Sequence, residues 1–243
     1  MEETTQTLPN PFVNNIHFGA RDRVKIALMT VFVFPVRLML AAFLIGVAYL
    51  AAVIILFQYE VELEAPLKGW RKRGKEFVAR VMVYLHFVLG VFPVTVKGRR
   101  AEPWEAPILV VAPHSSFYDA LPYCLLNAPS FIGKSSLINM PVFGKLISLT
   151  KPILVNRDMK KSRKMTAEKL KERAWKVYNQ RKNGITSPLS QIMIFPEGTC
   201  TNRTQLIHFK AGAFAAQLPI QPVCLRWPES SLHTAWTWEG PGM

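Results

Sequence analysis

Twenty consecutive uncharged residues, Leu38 to Phe57, constrain this chain more than any other feature. At 1.5 Å per residue, a helix of that length spans about 30 Å, the thickness of a bilayer's hydrocarbon core. The whole apolar segment covers residues 26–57 and is interrupted once, at Pro35 and Arg37. Two arrangements fit it: a single transmembrane helix, or a re-entrant hairpin broken at Pro35 with both ends on one face. A buried core helix fits less well, because so long a run exceeds an amphipathic stripe. Arg21, Arg23 and Lys25 precede the run, and Lys68, Arg71, Lys72, Arg73 and Lys75 follow it. The positive-inside rule therefore pulls both ways and sets no orientation.

The composition points the same way. Half of the 243 residues are hydrophobic and 19% are charged, yet the net charge is +14. A low charged fraction with a large positive excess fits a basic protein at a membrane and argues against nucleic acid as the partner. It also excludes a disordered chain. Cys124, Cys200 and Cys224 are too few, and odd in number, for a disulfide scaffold.

Four segments follow along the chain. Residues 1–25 read as a loose polar arm, and 26–57 as the transmembrane or re-entrant segment. Residues 58–92 read as a basic linker leading into an amphipathic, membrane-proximal helix over 77–92. Residues 93–243 read as a catalytic domain. In that last segment, short β-branched runs at 94–96, 108–111, 153–155, 192–195 and 223–225 alternate with helical stretches near 116–126, 142–149, 166–178 and 212–216. The alternation predicts an α/β domain with a mixed sheet flanked by helices, whose chemistry gathers where strands end.

Two strand ends carry reactive side chains. His114 follows the 108–111 run, and Asp119 stands five positions later. If His114 lies in the loop and Asp119 in the first helical turn, the carboxylate points back to one imidazole nitrogen and leaves the other as a general base. The competing reading is a capping box, Ser116-x-x-Asp119, with His114 an ordinary loop residue. The residues alone leave both open. The second strand end is Phe195-Pro196-Glu197-Gly198-Thr199. There Glu197 is a candidate functional carboxylate, and Gly198 permits a tight turn with close approach to a ligand. An ordinary turn with a solvated Glu is the alternative. Cys200 is set aside as a nucleophile, because no histidine lies near it in sequence to activate it.

Eleven of the thirty Lys and Arg residues fall between Arg157 and Lys182. Most read as a solvated helix face with pairs such as Glu172 and Lys176. Arg157 stands apart because it closes the 153–155 run, where a guanidinium can hold a phosphate bidentately. No Gly-rich nucleotide loop, nucleophile elbow or metal-ligand spacing occurs, so no metal is implied.

In order, these blocks resemble the glycerolipid acyltransferase family related to 1-acylglycerol-3-phosphate acyltransferases. The H-x4-D motif is His114 to Asp119. The second block runs from Phe131-Ile132-Gly133-Lys134 through Pro141-Val142-Phe143-Gly144 to Ile153-Leu154-Val155-Asn156-Arg157. The third is Phe195 to Thr199, and the fourth is Leu218-Pro219-Ile220-Gln221-Pro222-Val223. The match is nearer to the lysophosphatidylcholine acyltransferase 1 and 2 branch, type 1 above all. That branch is marked by Pro196 to Thr204, Phe209-Lys210-x-Gly212-Ala213-Phe214 and Trp236-Thr237-Trp238.

The resemblance implies an acyl-CoA-dependent transfer to a lysophospholipid, with lysophosphatidylcholine ahead of lysophosphatidic acid or lyso-PAF. His114 would be the general base and Asp119 its orienter, with no acyl-enzyme. Arg157, Glu197, Gly198 and Thr199 would bind the glycerophosphate part of the acceptor, Lys134 would belong to the substrate site, and Pro219 would shape the acyl-donor side. It implies no cofactor beyond acyl-CoA as co-substrate, membrane lipids as surroundings, and an endoplasmic reticulum location, with Golgi and lipid droplet as alternatives. One departure is Ser136, where many relatives carry Glu. Another is the end of the chain at Met243, which reads as a short or truncated form. The rival functions are an inactive membrane-bound isoform and a Ser–His hydrolase.

Overall fold

The computed structural model describes residues 10–14, 18–59, 62–126, 128–155, 162–180, 183–184, 189–227 and 235. The predicted phosphate ligand Arg157 and the Trp236 to Trp238 block lie outside the described residues.

The N-terminal apolar run is one continuous helical rod, Ala20–Leu56, long and apolar enough to cross a membrane. It comprises helix α1 (Ala20–Leu28), a wider π-type segment (Met29–Val33) and α2 (Phe34–Leu56). Pro35 does not fold the run into two arms. It sits in the first turn of α2, where a missing N–H costs least, and the π-type turn before it absorbs the misfit. The rod begins at Ala20, inside the stretch read as a loose arm. The arm is also tied down nearer its start. Asn202 donates from its backbone to the Pro11 carbonyl (2.8 Å) and from its side chain to the carbonyls of Asn10 (3.0 Å) and Val13 (2.7 Å).

Helix α3 (Gly69–Val88) starts earlier than predicted and takes in Arg71, Lys72, Arg73 and Lys75 of the basic linker. It packs on α2 where Ala48, Ala52, Ile55 and Leu56 meet Val78 and Val81, with Leu146 and Leu149 from later in the chain completing the cluster. The outer faces stay apolar and exposed, including Met39, Phe43, Leu50, Ile54, Phe77, Tyr84 and Phe87. A soluble domain rarely leaves so much contiguous apolar surface uncovered.

The sheet follows: β1 (Ile108–Ala112), the short helix α4 (Leu121–Leu125), β2 (Ser130–Lys134), α5 (Phe143–Leu149), β3 (Ile153–Val155), α6 (Ser162–Asn179), β4 (Ile192–Ile194) and β5 (Ile220–Cys224). The strand order is β3-β2-β4-β1-β5. Every described pairing is parallel, so the expected mixed sheet is corrected to a parallel one. Each strand is reached by a crossover, and a crossover returns the chain in the same direction. β1 is buried on both faces, as a central parallel strand must be. Ile108 and Val110 meet α6 at Leu170 and Ala174, while Leu109 and Val111 meet Met193 with Tyr123 and Phe195.

Two further expectations are revised. Residues 94–96 form no strand, and Val94 and Val96 are exposed. β2 went unpredicted, because Gly133 and the polar residues Ser130 and Lys134 dilute its pattern. Part of the basic stretch is structural: Arg173 is 1% exposed and grips Glu64 from both Nε (2.9 Å) and Nη2 (2.7 Å), clasping α6 to the α2–α3 connection. Glu172 and Lys176 form the anticipated surface pair at 2.8 Å.

Candidate active site

A parallel sheet brings all its strand C-termini to one edge, where open α/β folds bind ligands. Here β1 delivers His114 to that edge, and the neighbouring β4 delivers Phe195, Pro196 and Glu197. Lys134 ends β2 on the same edge, exposed, and pairs in register with Val155 at the end of β3.

His114 Nδ1 lies 2.9 Å from Asp119 Oδ2. The carboxylate can only accept, so Nδ1 carries the proton and Nε2 is the basic nitrogen. The same Oδ2 accepts the backbone N–H groups of Ser115 (2.6 Å) and Ser116 (2.9 Å). Ser116 returns the favour by capping the helical turn, accepting from Tyr118 N–H at 3.2 Å. The two readings of this segment are thus both present: one carboxylate closes the capping box and orients the imidazole. Its other oxygen, Oδ1, accepts the indole N–H of Trp227 at 2.9 Å. Asp119 is fully buried, while the His114 side chain keeps 25% of its surface open to a substrate.

Phe195 stacks on the imidazole, with ring centroids 4.1 Å apart and planes 20° from parallel. Cys200 also lies against His114. Sequence distance concealed this contact, and it removes the reason for setting Cys200 aside. Burial pulls the His114 pKa down, but the hydrogen bond to Asp119 and the adjacent Cys200 sulfur more than offset this and push it up to about 9.

Glu197 is 2% exposed, faces the backbone of His114, and has its carboxyl pushed above the usual range, chiefly by burial. Among the described residues, its Oε2 and the buried hydroxyl of Ser115 have no hydrogen-bond partner. Unpartnered buried oxygens beside a reachable base are places for a substrate's polar groups. Gly198 adopts φ +67° and Thr199 is exposed next to it. Lys210 lays its side chain over Gly198, where an added Cβ would run into it. The structure does not bring Pro219 to this edge. It precedes β5, whose first residue pairs with Ile108, so it lies about a strand length, ~13 Å, from the dyad. Trp227 and Lys210 were given no place at this site by the sequence, and Cys200 was set aside there.

A base held by a buried carboxylate at a strand end can take and return a proton. The chain belongs to the acyltransferase family, whose sequence model, Acyltransferase, matches residues 93–226. Lysophosphatidylcholine acyltransferase 1 of Homo sapiens is 44% identical over 96% of this chain and 42% of its own length. Lysophosphatidylcholine acyltransferase 2 of Homo sapiens is 38% identical, over 96% and 41%. Lysophospholipid acyltransferase LPCAT4 of Mus musculus is 37% identical, over 97% and 44%. The chain thus spans about two fifths of the length of these relatives. Among solved structures, the 1-acyl-sn-glycerophosphate (LPA) acyltransferase of Thermotoga maritima aligns with 82% of this chain and 73% of its own. The TM-score is 0.49 and the identity 18%.

Proposed function

We propose that this chain is an acyl-CoA-dependent O-acyltransferase at the endoplasmic reticulum membrane that acylates a lysophospholipid, lysophosphatidylcholine first. The observation that carries it is the His114–Asp119 dyad, with the proton on Nδ1 and the basic Nε2 left to a substrate, at the ligand-binding edge of a parallel sheet. The names of the relatives support the acceptor class, and the exposed apolar rod Ala20–Leu56 supports the membrane setting.

In this reading the acceptor hydroxyl hydrogen-bonds to His114 Nε2. As the oxygen attacks the thioester carbon, its proton passes to Nε2, and Asp119 stabilises the imidazolium that forms. The tetrahedral intermediate collapses, the C–S bond breaks, and the proton goes from Nε2 to the departing CoA thiolate. No acyl-enzyme intervenes. Glu197, Gly198, Thr199, Lys134 and Arg157 take the glycerophosphate part of the acceptor. Pro219 is assigned to setting the start of β5 and not to the reacting groups.

Microsomes expressing the chain, supplied with labelled acyl-CoA and a panel of lysolipids, test this. Transfer to lysophosphatidylcholine that disappears in His114→Ala supports it. Transfer confined to lysophosphatidic acid changes the acceptor, and transfer to water alone replaces the function with hydrolysis.

A further inference from the structure

The sheet edge opposite the dyad holds a second concave feature. A cavity of about 330 Å³ opens where the N-terminal ends of β2 and β4 meet the start of α3. Four cations line it, Lys72, Lys75, Arg100 and Lys151, against two carboxylates, Glu76 and Glu102. Among the described residues, none of the four cations forms an ion pair.

Their hydrogen-bond partners are neutral. Lys75 Nζ donates to Ser190 Oγ at 2.9 Å. Arg100 donates to Gln191 Oε1 from Nε (3.0 Å) and Nη2 (2.8 Å). Lys151 Nζ donates to the Glu62 carbonyl at 2.7 Å and stands 4.8 Å over the Tyr59 ring. Lys151 is 4% exposed, and its φ of +54° is a conformation that a lysine adopts only when its surroundings impose it.

Lys151 is buried, Lys75 and Arg100 are half-buried and Lys72 is exposed; like charges partly withdrawn from water around one cavity are costly unless something negative joins them. The cost is visible in the titration of the group. Burial pushes Lys75 down to about 8, and the neighbouring charges of Lys151, Arg100 and Lys72 push it the same way. Burial likewise brings Lys151 down to about 8. A phosphate group answers this arrangement. It carries the missing charge, and its oxygens accept the free N–H donors that remain on each ammonium and on the guanidinium.

We propose that this cavity is a binding site for a phosphate oxyanion, held by Lys75, Arg100 and Lys151. It is separate from the acceptor's phosphate, because the length of the sheet lies between it and His114. The phosphate belongs either to a lipid headgroup or to a soluble phosphate compound. The surroundings suit the first: Phe57 and Trp70 are exposed at the end of the apolar rod, and Arg71 stacks between Tyr59 and Trp70, an aromatic and cationic rim of the kind found at membrane interfaces.

The test uses the full chain in phosphatidylcholine nanodiscs, titrated with inorganic phosphate, alongside Lys75→Gln, Arg100→Gln and His114→Ala. The site predicts saturable binding that weakens about tenfold in each of the first two variants and is unchanged in His114→Ala. Without phosphate, Lys75→Gln melts no lower than the wild type, since it removes an uncompensated charge, so its lost binding is not lost folding. In a second arm, flotation on phosphatidylcholine vesicles with and without phosphatidic acid assigns the source. A phosphatidic-acid-dependent gain that Lys75→Gln abolishes means a headgroup; phosphate binding without that gain means a soluble compound. Equal phosphate affinity in wild type and both variants, or a loss in His114→Ala as large as in Lys75→Gln, overturns the proposal.

Discussion

Trp227 Nε1 lies 2.9 Å from Asp119 Oδ1, the carboxylate oxygen that His114 leaves unoccupied. The chain reaches this point through β5, which runs beside β1 with Leu225 N–H bonded to the Ala112 carbonyl at 2.8 Å. The strand pairing therefore sets the orienter of the base from both sides. Trp227→Phe removes a hydrogen bond to a buried carboxylate, which costs about 1.5–3 kcal/mol. The expected outcome is a lower Tm and a lower kcat with KM little changed, measured by thermal unfolding and acyl transfer on the same preparation. A change in KM alone would move Trp227 from positioning the dyad to binding the acceptor.

His114→Ala and Asp119→Asn separate base from orienter. Loss of a general base lowers turnover by about 10²–10⁴-fold, and His114→Ala should reach that range without unfolding, because the ring is partly exposed. Asp119→Asn keeps the shape but cannot accept on both oxygens, so Oδ1 or Oδ2 is replaced by an NH₂ that faces donors. It should lose activity in the same range and also melt lower. Equal stability in the two variants would argue against the shared cap and dyad role of Asp119.

The legible part of this site was the local part. His114 and Asp119 are five residues apart, and one loop plus one helical turn closes that distance whatever the rest of the chain does. The continuous strand run at 108–111 was legible for a similar reason, since burial on both faces leaves nothing but apolar residues to read. Cys200 and Trp227 were not, because parallel crossovers bring them to His114 and Asp119 from 86 and 108 positions away (200 − 114 and 227 − 119). Lys75, Arg100 and Lys151 were hidden in the same way. Each looks like a surface cation in sequence, and only the meeting of α3 with the starts of β2 and β4 buries them together. The mixed sheet failed at the level of topology: alternating elements announce α/β but do not carry strand direction.

Glu197→Gln tests the unpartnered carboxyl. Burial already disfavours its ionised form, and Oε2 has no partner within the described residues. Removing the charge relieves that cost, so Tm should stay level or rise. Activity should fall about 10–100-fold if the carboxylate contacts substrate, the size of one lost charged hydrogen bond. A stable variant with full activity would make Glu197 a turn residue.

The pH profile and Cys200→Ala together decide between direct transfer and an acyl-cysteine. With His114 pushed up to about 9, its ring is an imidazolium below that pH and a base above it, so kcat/KM should climb as pH rises toward 9. The same sign governs stability. A folded pKa raised above the usual 6.5 stabilises fully below 6.5, and that contribution is lost as pH rises through 9. Cys200 is one of the causes of the raised value, so Cys200→Ala should shift the profile to lower pH and keep or increase turnover near neutrality. A cysteine nucleophile predicts the opposite: Cys200→Ala would be inactive at every pH, and the wild type would release CoA in a burst before any phospholipid formed. Steady transfer by Cys200→Ala with an acid-shifted profile is the expected outcome, and it would leave His114 as the single group that handles the proton.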